Sequence, residues 1–169
     1  MSQDRPKSVF EEWVPPKIRN TLLLKFFSFT QVPLLFFLRP SVEELTEERC
    51  VVKIPLTRRS KNHLNSLYFG ALAAGADVSA GYLALVCMRE QRKRYHFAFK
   101  DFKASFLKRA EDDTFFTCEE GHKIAQKVEE ARRTGERVNF PVQVTATVPS
   151  LLGSEPVATF ELTMSIKAK

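Results

Sequence analysis

The stretch Leu67–Met88, LYFGALAAGADVSAGYLALVCM, is almost entirely apolar and carries a single charge, Asp77. It is too long for a strand and is apolar on every side, which predicts a buried helix. Asn65 or Ser66 is expected to cap its start. A helix of this kind must be covered on most sides, so the rest of the chain is expected to supply the cover.

The flanking sequence predicts a sheet. Cys50–Leu56 has the β-branched content of a strand, and Pro55 indicates that this strand ends there or lies at a sheet edge. Alternating apolar residues predict four further strands, over 95–106, 114–119, 138–148 and 157–167. A polar helix is expected over Glu120–Arg133, ended by Gly135. This order predicts an α+β fold in which an antiparallel sheet of about five to six strands wraps round the central helix.

The N-terminal region is predicted to be helical. Helical pieces are expected over Val9–Leu38, broken by Pro15–Pro16 and Pro33. The apolar tract Leu22–Leu38, LLLKFFSFTQVPLLFFL, is interrupted by Lys25 and Pro33, which favours core-facing or partner-facing helices over a membrane span. An interfacial membrane helix stays open as an alternative. We expect one domain over residues 1–169, with a helical extension at 1–38 and a core at 39–169.

Bulk composition limits the function classes. A formal net charge of +6 and an isoelectric point near 9.3 favour anionic partners. Three widely spaced cysteines argue against a disulfide framework or a zinc site, and they suit a reducing cytoplasm, where we expect the protein. The N-terminus lacks the pattern of a signal peptide. No metal-binding histidine pair or nucleic-acid motif is present, so neither a metal nor a nucleic acid is expected.

Asp77 is the unusual residue of the central helix. On a helix it shares one face with small residues only: Gly70, Ala73, Ala74, Ala80 and Gly81. Such a face lets a backbone or a slim ligand approach closely, and it offers the carboxylate no cation. A buried carboxylate without water or a partner is costly, so Asp77 is expected to meet water, a ligand, or an Arg or Lys from a strand.

The residues around this helix resemble the central motif of the hot-dog superfamily, in particular its PaaI-like acyl-CoA thioesterases. That motif has an Asn, six residues later His-Gly-Gly, and an Asp nine residues after the His; Asn62, Tyr68 and Asp77 have this spacing. The stretch DFKASFLKRAEDDT, residues 101–114, resembles the family's following strand and turn. The likeness is strongest to the branch of the YiiD C-terminal domain, which has Tyr at the His position. The resemblance implies a hot-dog core over residues 39–169.

The resemblance also implies roles for single residues. Asp77 falls on the catalytic carboxylate, which acts as general base on water or as nucleophile toward the thioester carbonyl carbon. Gly70 falls on the glycine whose backbone N–H polarises the thioester oxygen, a role that suits a helix N-terminus. Asn62 falls on the residue that holds the attacking water. Tyr68 replaces the family's His and can donate a hydrogen bond. His63 is a further candidate base.

The resemblance implies partners as well. Hot-dog sites lie between two subunits, which implies a homodimer, with a dimer of dimers as a further option. The implied substrate is an acyl-CoA or acyl-carrier thioester, with coenzyme A as part of the substrate and no separate cofactor. Basic residues expected to bind its phosphates are Arg58, Arg59, Lys61, Lys103 and Lys108, although a solvated surface explains them too. Two functions remain open: an acyl-thioester hydrolase, and a non-catalytic acyl- or lipid-binding protein.

Overall fold

The computed structural model describes residues 15–88 and 94–169. The helices are α1 (Pro16–Gln31), α2 (Pro33–Leu38), α3 (Phe69–Met88), α4 (Gly121–Thr134) and α5 (Pro149–Leu152). The strands are β1 (Ser41–Leu45), β2 (Cys50–Ile54), β3 (Tyr95–Phe106), β4 (Thr114–Cys118), β5 (Val138–Thr147) and β6 (Pro156–Ala168). The expectations for residues 1–14, a helix from Val9 and the lack of a signal peptide, lie outside the described residues.

The six strands form one antiparallel sheet in the order β1-β2-β4-β5-β6-β3. This confirms the predicted α+β architecture. β2 ends at Ile54, as Pro55 indicates, but it is not an edge strand, because β1 pairs along its other side. Neither β1 (SVEEL) nor the single-turn helix α5 (PSLL) was predicted, since each is short and β1 has two glutamates among its five residues.

The helix α3 lies at the centre of the fold, against β2, β4, β5 and α4. Its small residues allow this close packing: a Cβ atom at Gly75 would lie only 2.4 Å from the buried ring of Phe116. Among the described residues, α3 is the one helix long and apolar enough to cross a membrane. Most of it is buried within the protein, so its role as the core helix accounts for its composition.

The N-terminal helices form a hairpin against the edge of the sheet, and we call residues 16–38 the N-terminal hairpin. Thr21 Oγ1 accepts a hydrogen bond from the Val42 N–H at 3.0 Å, which joins α1 to β1. The residues that the hairpin buries are few: Leu24, Ser28, Leu35 and Leu38. The expected core-facing role therefore holds for only part of the tract Leu22–Leu38.

The surface helix α4 matches its prediction. It buries one stripe, Ile124, Val128 and Ala131, and its remaining residues are mostly charged. Gly135 ends the helix with a positive φ of 71°, and its N–H donates to the Ala131 carbonyl oxygen at 3.0 Å. This conformation is one that glycine adopts at little cost.

Candidate functional site

The loop before α3 is organised by Asn62. The Asn62 side-chain oxygen accepts hydrogen bonds from the N–H groups of Leu64 at 2.8 Å and Ser66 at 3.2 Å. The Asn62 amide nitrogen donates to Ser66 Oγ at 3.1 Å. Ser66 is thus used within the loop and does not cap the helix, which starts later than expected, at Phe69. His63 is exposed at the tip of this loop, one residue from Asn62.

The first turn of α3 carries Tyr68 and Gly70. The Tyr68 carbonyl oxygen accepts from Ala71 at 2.9 Å and from Leu72 at 3.0 Å, so the helix ladder begins after Gly70. Within the described part of the chain, nothing accepts a hydrogen bond from the Gly70 N–H. The Tyr68 side chain is 55% exposed. Its ring lies beside Gly70, so that a Cβ atom added to Gly70 would be only 2.7 Å from the nearest ring carbon. A free N–H at a helix N-terminus is suited to an electron-rich oxygen.

Asp77 lies in the middle of α3, where its neighbours on the helix are mostly buried. Its own side chain is exposed at one side in the single chain, while the apolar groups around it partly desolvate the carboxylate and raise its pKa above the ordinary value. Among the described residues, no ion pair or hydrogen bond involves Asp77, so the expected alternative of a strand Arg or Lys partner is not found. The carboxylate is open to water or to a ligand.

A cavity of about 210 Å³ lies beside Asp77. It is enclosed between α3, the N-terminal hairpin and β3, and its lining is Leu24, Phe27, Val32, Leu35, Asp77, Val78, Gly81, Tyr82, Leu85 and Phe97. Asp77 is the one ionised group of that lining, and the Tyr82 hydroxyl donates to the Asn20 carbonyl oxygen at 3.3 Å. The sequence predicted a core-facing or partner-facing role for the tract Leu22–Leu38, but helix periodicity does not show which face of α3 the tract covers.

Gly70 and Asp77 lie on the same face of α3 but at different heights along the helix. Seven residues of helix separate them by about 10 Å along the axis. The Gly70 N–H points out of the helix N-terminus, away from Asp77. An oxygen bound to that N–H would lie farther still from the Asp77 carboxylate of the same chain. One chain therefore cannot place both groups on a single carbonyl.

The basic residues predicted to bind phosphate fall into two groups. Arg58, Arg59 and Lys61 are exposed in the segment between β2 and the Asn62 loop. The segment that carries Lys108 is joined to the chain just before α3, where the Leu67 N–H donates to the Ala110 carbonyl oxygen at 2.8 Å. Lys108 and Lys103 already form ion pairs, with Glu155 at 2.6 Å and with Glu161 at 2.9 Å. Among the described residues, Arg58 and Arg59 form no ion pair.

A row of aromatic rings leads from the helix start into the core. Tyr68, Phe69, Phe106 and Phe160 follow one another with centroid separations of 6.4, 5.7 and 6.2 Å. Phe69 and Phe106 are more than 45% exposed in the single chain, at 56% and 49%. Phe106 is the last residue of β3, which is 12 residues long and occupies the end of the sheet order, and the Phe69 ring packs against it. The alternating apolar residues of 95–106 predicted this strand, but they did not show that it lies at the edge of the sheet.

No group of three or more His, Cys, Asp or Glu side chains that could hold a metal ion occurs in the described part of the chain. The site is therefore built from one carboxylate, backbone N–H groups, a loop amide and two exposed arginines. Such a set can bind an anion, polarise a carbonyl and hold a water molecule, given a second copy of the helix N-terminus near Asp77.

An antiparallel sheet wrapped round one long helix, with this site at the helix, defines a protein of the hot-dog fold. Residues 20–166 match the family described as Domain of unknown function (DUF4442), and the chain belongs to that family. No curated protein sequence is significantly similar to it.

Solved structures share the architecture. PA5026 from Pseudomonas aeruginosa, described as a probable thioesterase, has a TM-score of 0.73 and 20% identity, over 88% of this chain and 96% of that one. OLEI01261 from Chlorobaculum tepidum, of unknown function, has a TM-score of 0.77 and 12% identity, over 90% and 97%. Thioesterase HI1161 from Haemophilus influenzae has a TM-score of 0.64 and 12% identity, over 86% of this chain and 88% of that one. At these identities the likeness shows the fold.

Proposed function

We propose that this chain is an acyl-thioester hydrolase that acts on acyl-CoA or a similar carrier thioester. The observation that carries the proposal is Asp77, a carboxylate without a partner among the described residues, on the wall of an otherwise apolar cavity. A protein fold retains such a group at a cost, which favours a functional reason for it. The thioesterase descriptions of PA5026 and HI1161 support the same reaction class.

In the proposed reaction Asp77 acts as a general base. It accepts a proton from a water molecule, whose oxygen attacks the carbonyl carbon of the thioester. The carbon–sulfur bond then breaks to give the carboxylic acid and a thiolate, and the thiolate takes the proton from Asp77 to give the free thiol and restore the Asp77 carboxylate. The raised pKa of Asp77 suits this role, because a base works best when its pKa lies closer to the working pH. Direct attack by the Asp77 carboxylate, through an anhydride, is the other possible course.

The oxyanion that develops is stabilised by the Gly70 N–H. One such donor contributes about 3 kcal/mol to transition-state stabilisation in other acyl-transfer sites. Since the two groups lie about 10 Å apart along one helix, the Gly70 N–H that serves a given Asp77 belongs to a second copy of the chain. We therefore propose a homodimer as the active form. The long free edge of β3 and the exposed rings of Phe69 and Phe106 offer it an interface.

The remaining residues have supporting roles in this proposal. Asn62 of the second copy shapes its loop and holds the attacking water with the amide hydrogen that it does not donate to Ser66, and His63 is a second polar group beside it. Tyr68 donates a hydrogen bond from its exposed hydroxyl. Arg58 and Arg59 bind coenzyme A phosphates, and Lys61 and Lys108 border the same surface. Lys103 joins them only if it releases Glu161, so we assign it the smallest part.

The experiment is thiol release from a panel of short, long and aromatic acyl-CoAs by the full-length protein. Asp77→Asn removes the base and keeps the shape, and we expect a loss of about 100- to 10,000-fold in kcat. Glu136→Gln, the same chemical change on an exposed residue after α4, is the matched control and should leave the rate unchanged. Equal turnover by wild type and Asp77→Asn would refute the catalytic role of Asp77.

A second candidate is an acyl- or lipid-binding protein without chemistry. The observation that favours it is Tyr68, which stands at the His position of the PaaI-like motif that the sequence resembles. Extraction of the purified protein followed by mass spectrometry tests it. A bound acyl species together with no turnover of any thioester would favour this function over the hydrolase.

A further inference from the structure

The N-terminal hairpin is apolar on the side that the protein leaves uncovered. Ile18, Leu22, Phe26 and Phe29 follow one another at steps of three and four residues and form a single stripe on α1. Phe26 is 70% exposed and Phe29 66%. A helix that is apolar on both faces is normally buried on both. Here only the face with Leu24 is covered.

The second helix extends this surface. Phe36 of α2 contacts Phe29 of α1 edge to face, at a centroid separation of 5.3 Å. Leu34 and Phe37 are also exposed, at 61% and 48%. The two helices thus present one continuous apolar surface, whereas exposed apolar side chains on an ordinary protein surface are scattered singly.

Positive charge surrounds this apolar surface. No Asp or Glu occurs between Pro15 and Val42, whereas four basic residues do: Lys17, Arg19, Lys25 and Arg39. Lys17 forms an ion pair with Glu43, just after this segment. Lys25 and Arg39 line one cleft beside Phe36, and neither forms an ion pair among the described residues. The Arg59 guanidinium lies 5.3 Å from the Phe37 ring centre, at the border of the same surface.

We infer that the N-terminal hairpin docks on an anionic phospholipid bilayer. Exposed phenylalanines enter the interfacial region, and Lys25 and Arg39 bind lipid phosphates in their cleft. Charge decides against a second copy of the chain: a two-fold contact through this surface would bring Lys25 and Arg39 of both copies together, and neither residue has an acidic partner among the described residues. The cytoplasmic location that the sequence predicts would place the hairpin beside a leaflet that carries anionic lipid.

Docking would also bring the bilayer next to the cavity. Phe27 is on the hairpin, is 39% exposed, and lines the same cavity as Asp77. The inference does not depend on the proposed hydrolysis, since the hairpin can bind lipid whether or not Asp77 is catalytic.

The test is co-sedimentation of the full-length protein with vesicles of phosphatidylcholine containing one-third phosphatidylglycerol, and with pure phosphatidylcholine. Wild type should bind the mixed vesicles and bind the neutral ones more weakly. Lys25→Gln/Arg39→Gln should lower the partition coefficient about 30-fold, from roughly 1 kcal/mol for each basic residue near the surface. Phe26→Ser/Phe29→Ser should lower it about tenfold or more in both lipids.

Arg133→Gln/Lys167→Gln is the charge-matched control, with two exposed cations on α4 and β6, and it should bind as wild type does. Thioester turnover by the Phe26→Ser/Phe29→Ser variant, measured without lipid, separates loss of docking from loss of activity. The inference is wrong if wild type does not bind the mixed vesicles, or if the control weakens binding as much as the hairpin variants. It is also wrong if Phe26→Ser/Phe29→Ser changes only the oligomeric state in sedimentation velocity, which would make this surface a protein interface.

Discussion

The division of the site between two chains can be tested by complementation. Gly70→Pro removes the backbone N–H, and Asp77→Ala removes the carboxylate. Proline is tolerated in the first turn of a helix, and Gly70 has no positive φ, but the first variant requires a local adjustment at Phe69, which proline moves out of the helical conformation. If each site takes Asp77 from one chain and Gly70 from the other, a heterodimer of the two variants has one intact site and one site that lacks both groups.

The expected magnitudes follow from the geometry. Loss of one oxyanion donor costs about 100- to 1,000-fold in kcat, and loss of the base costs at least as much, so each variant homodimer is nearly inactive. The heterodimer should recover one half of the wild-type rate per dimer. If Asp77 and Gly70 served the same site within one chain, each half of the heterodimer would lack one group and nothing would be recovered.

The assay uses two affinity tags, co-expression, and sequential purification of the heterodimer, followed by thiol release. Gly70→Ala is the control for Gly70→Pro, since it adds a Cβ against the movable Tyr68 ring but keeps the N–H. Gly70→Ala should therefore retain most of the activity. A stable heterodimer no more active than its inactive parents would refute the shared site.

Three further predictions concern charge, packing and thiols. At pH 7 Asp77→Asn should unfold at a higher temperature than wild type, because the folded-state pKa of Asp77 is raised and its ionised form is disfavoured by folding; the difference should vanish as pH falls below the unfolded value near 3.8, where Asp77 is protonated in both states, and an unchanged difference at low pH would contradict this. Gly75→Ala should lower the free energy of unfolding in urea by about 1–3 kcal/mol, because its Cβ would lie 2.4 Å from the Phe116 ring. Gly81→Ala should raise it by about 0.5–1 kcal/mol, because no ring atom lies closer than 3.8 Å to its Cβ. Equal effects of the two variants would refute the close contact between Gly75 and Phe116. Burial raises the pKa of Cys118 to about 11 and that of Cys50 still higher, so iodoacetamide at pH 8 should modify neither in the native protein and both after denaturation.

The sequence predicted the fold well where periodicity and length are informative. The central helix, the surface helix with its Gly135 cap, and β3 were placed within a few residues, because each is long or has a clear apolar stripe. β1 was missed, because its partners in the sheet, and not its own composition, make it a strand. The start of α3 was misplaced for a similar reason: Ser66 has the side chain of a cap but bonds to Asn62 across the loop.

The candidate site was predictable to the extent that it is local in sequence. The spacing of Asn62, Gly70 and Asp77 is visible in the sequence alone, and the structure adds that Asp77 has an open side. The cavity was not predictable, since its walls come from α1, α2, α3 and β3, which are separated by tens of residues. The sequence left open whether the tract Leu22–Leu38 faces the core, a partner or a membrane interface, and the structure shows which side of it stays uncovered.

Asp77 conflicts with the rest of its helix. The other residues of α3 are mostly small or apolar, and asparagine at position 77 would fill the same space without a charge to desolvate. Proteins break such local rules mainly at functional sites, where stability is lost in exchange for activity. Asp77→Asn should therefore gain stability and lose activity for the same reason, the removal of the desolvated carboxylate. A gain in stability without a loss of turnover would mean that the carboxylate serves binding rather than hydrolysis.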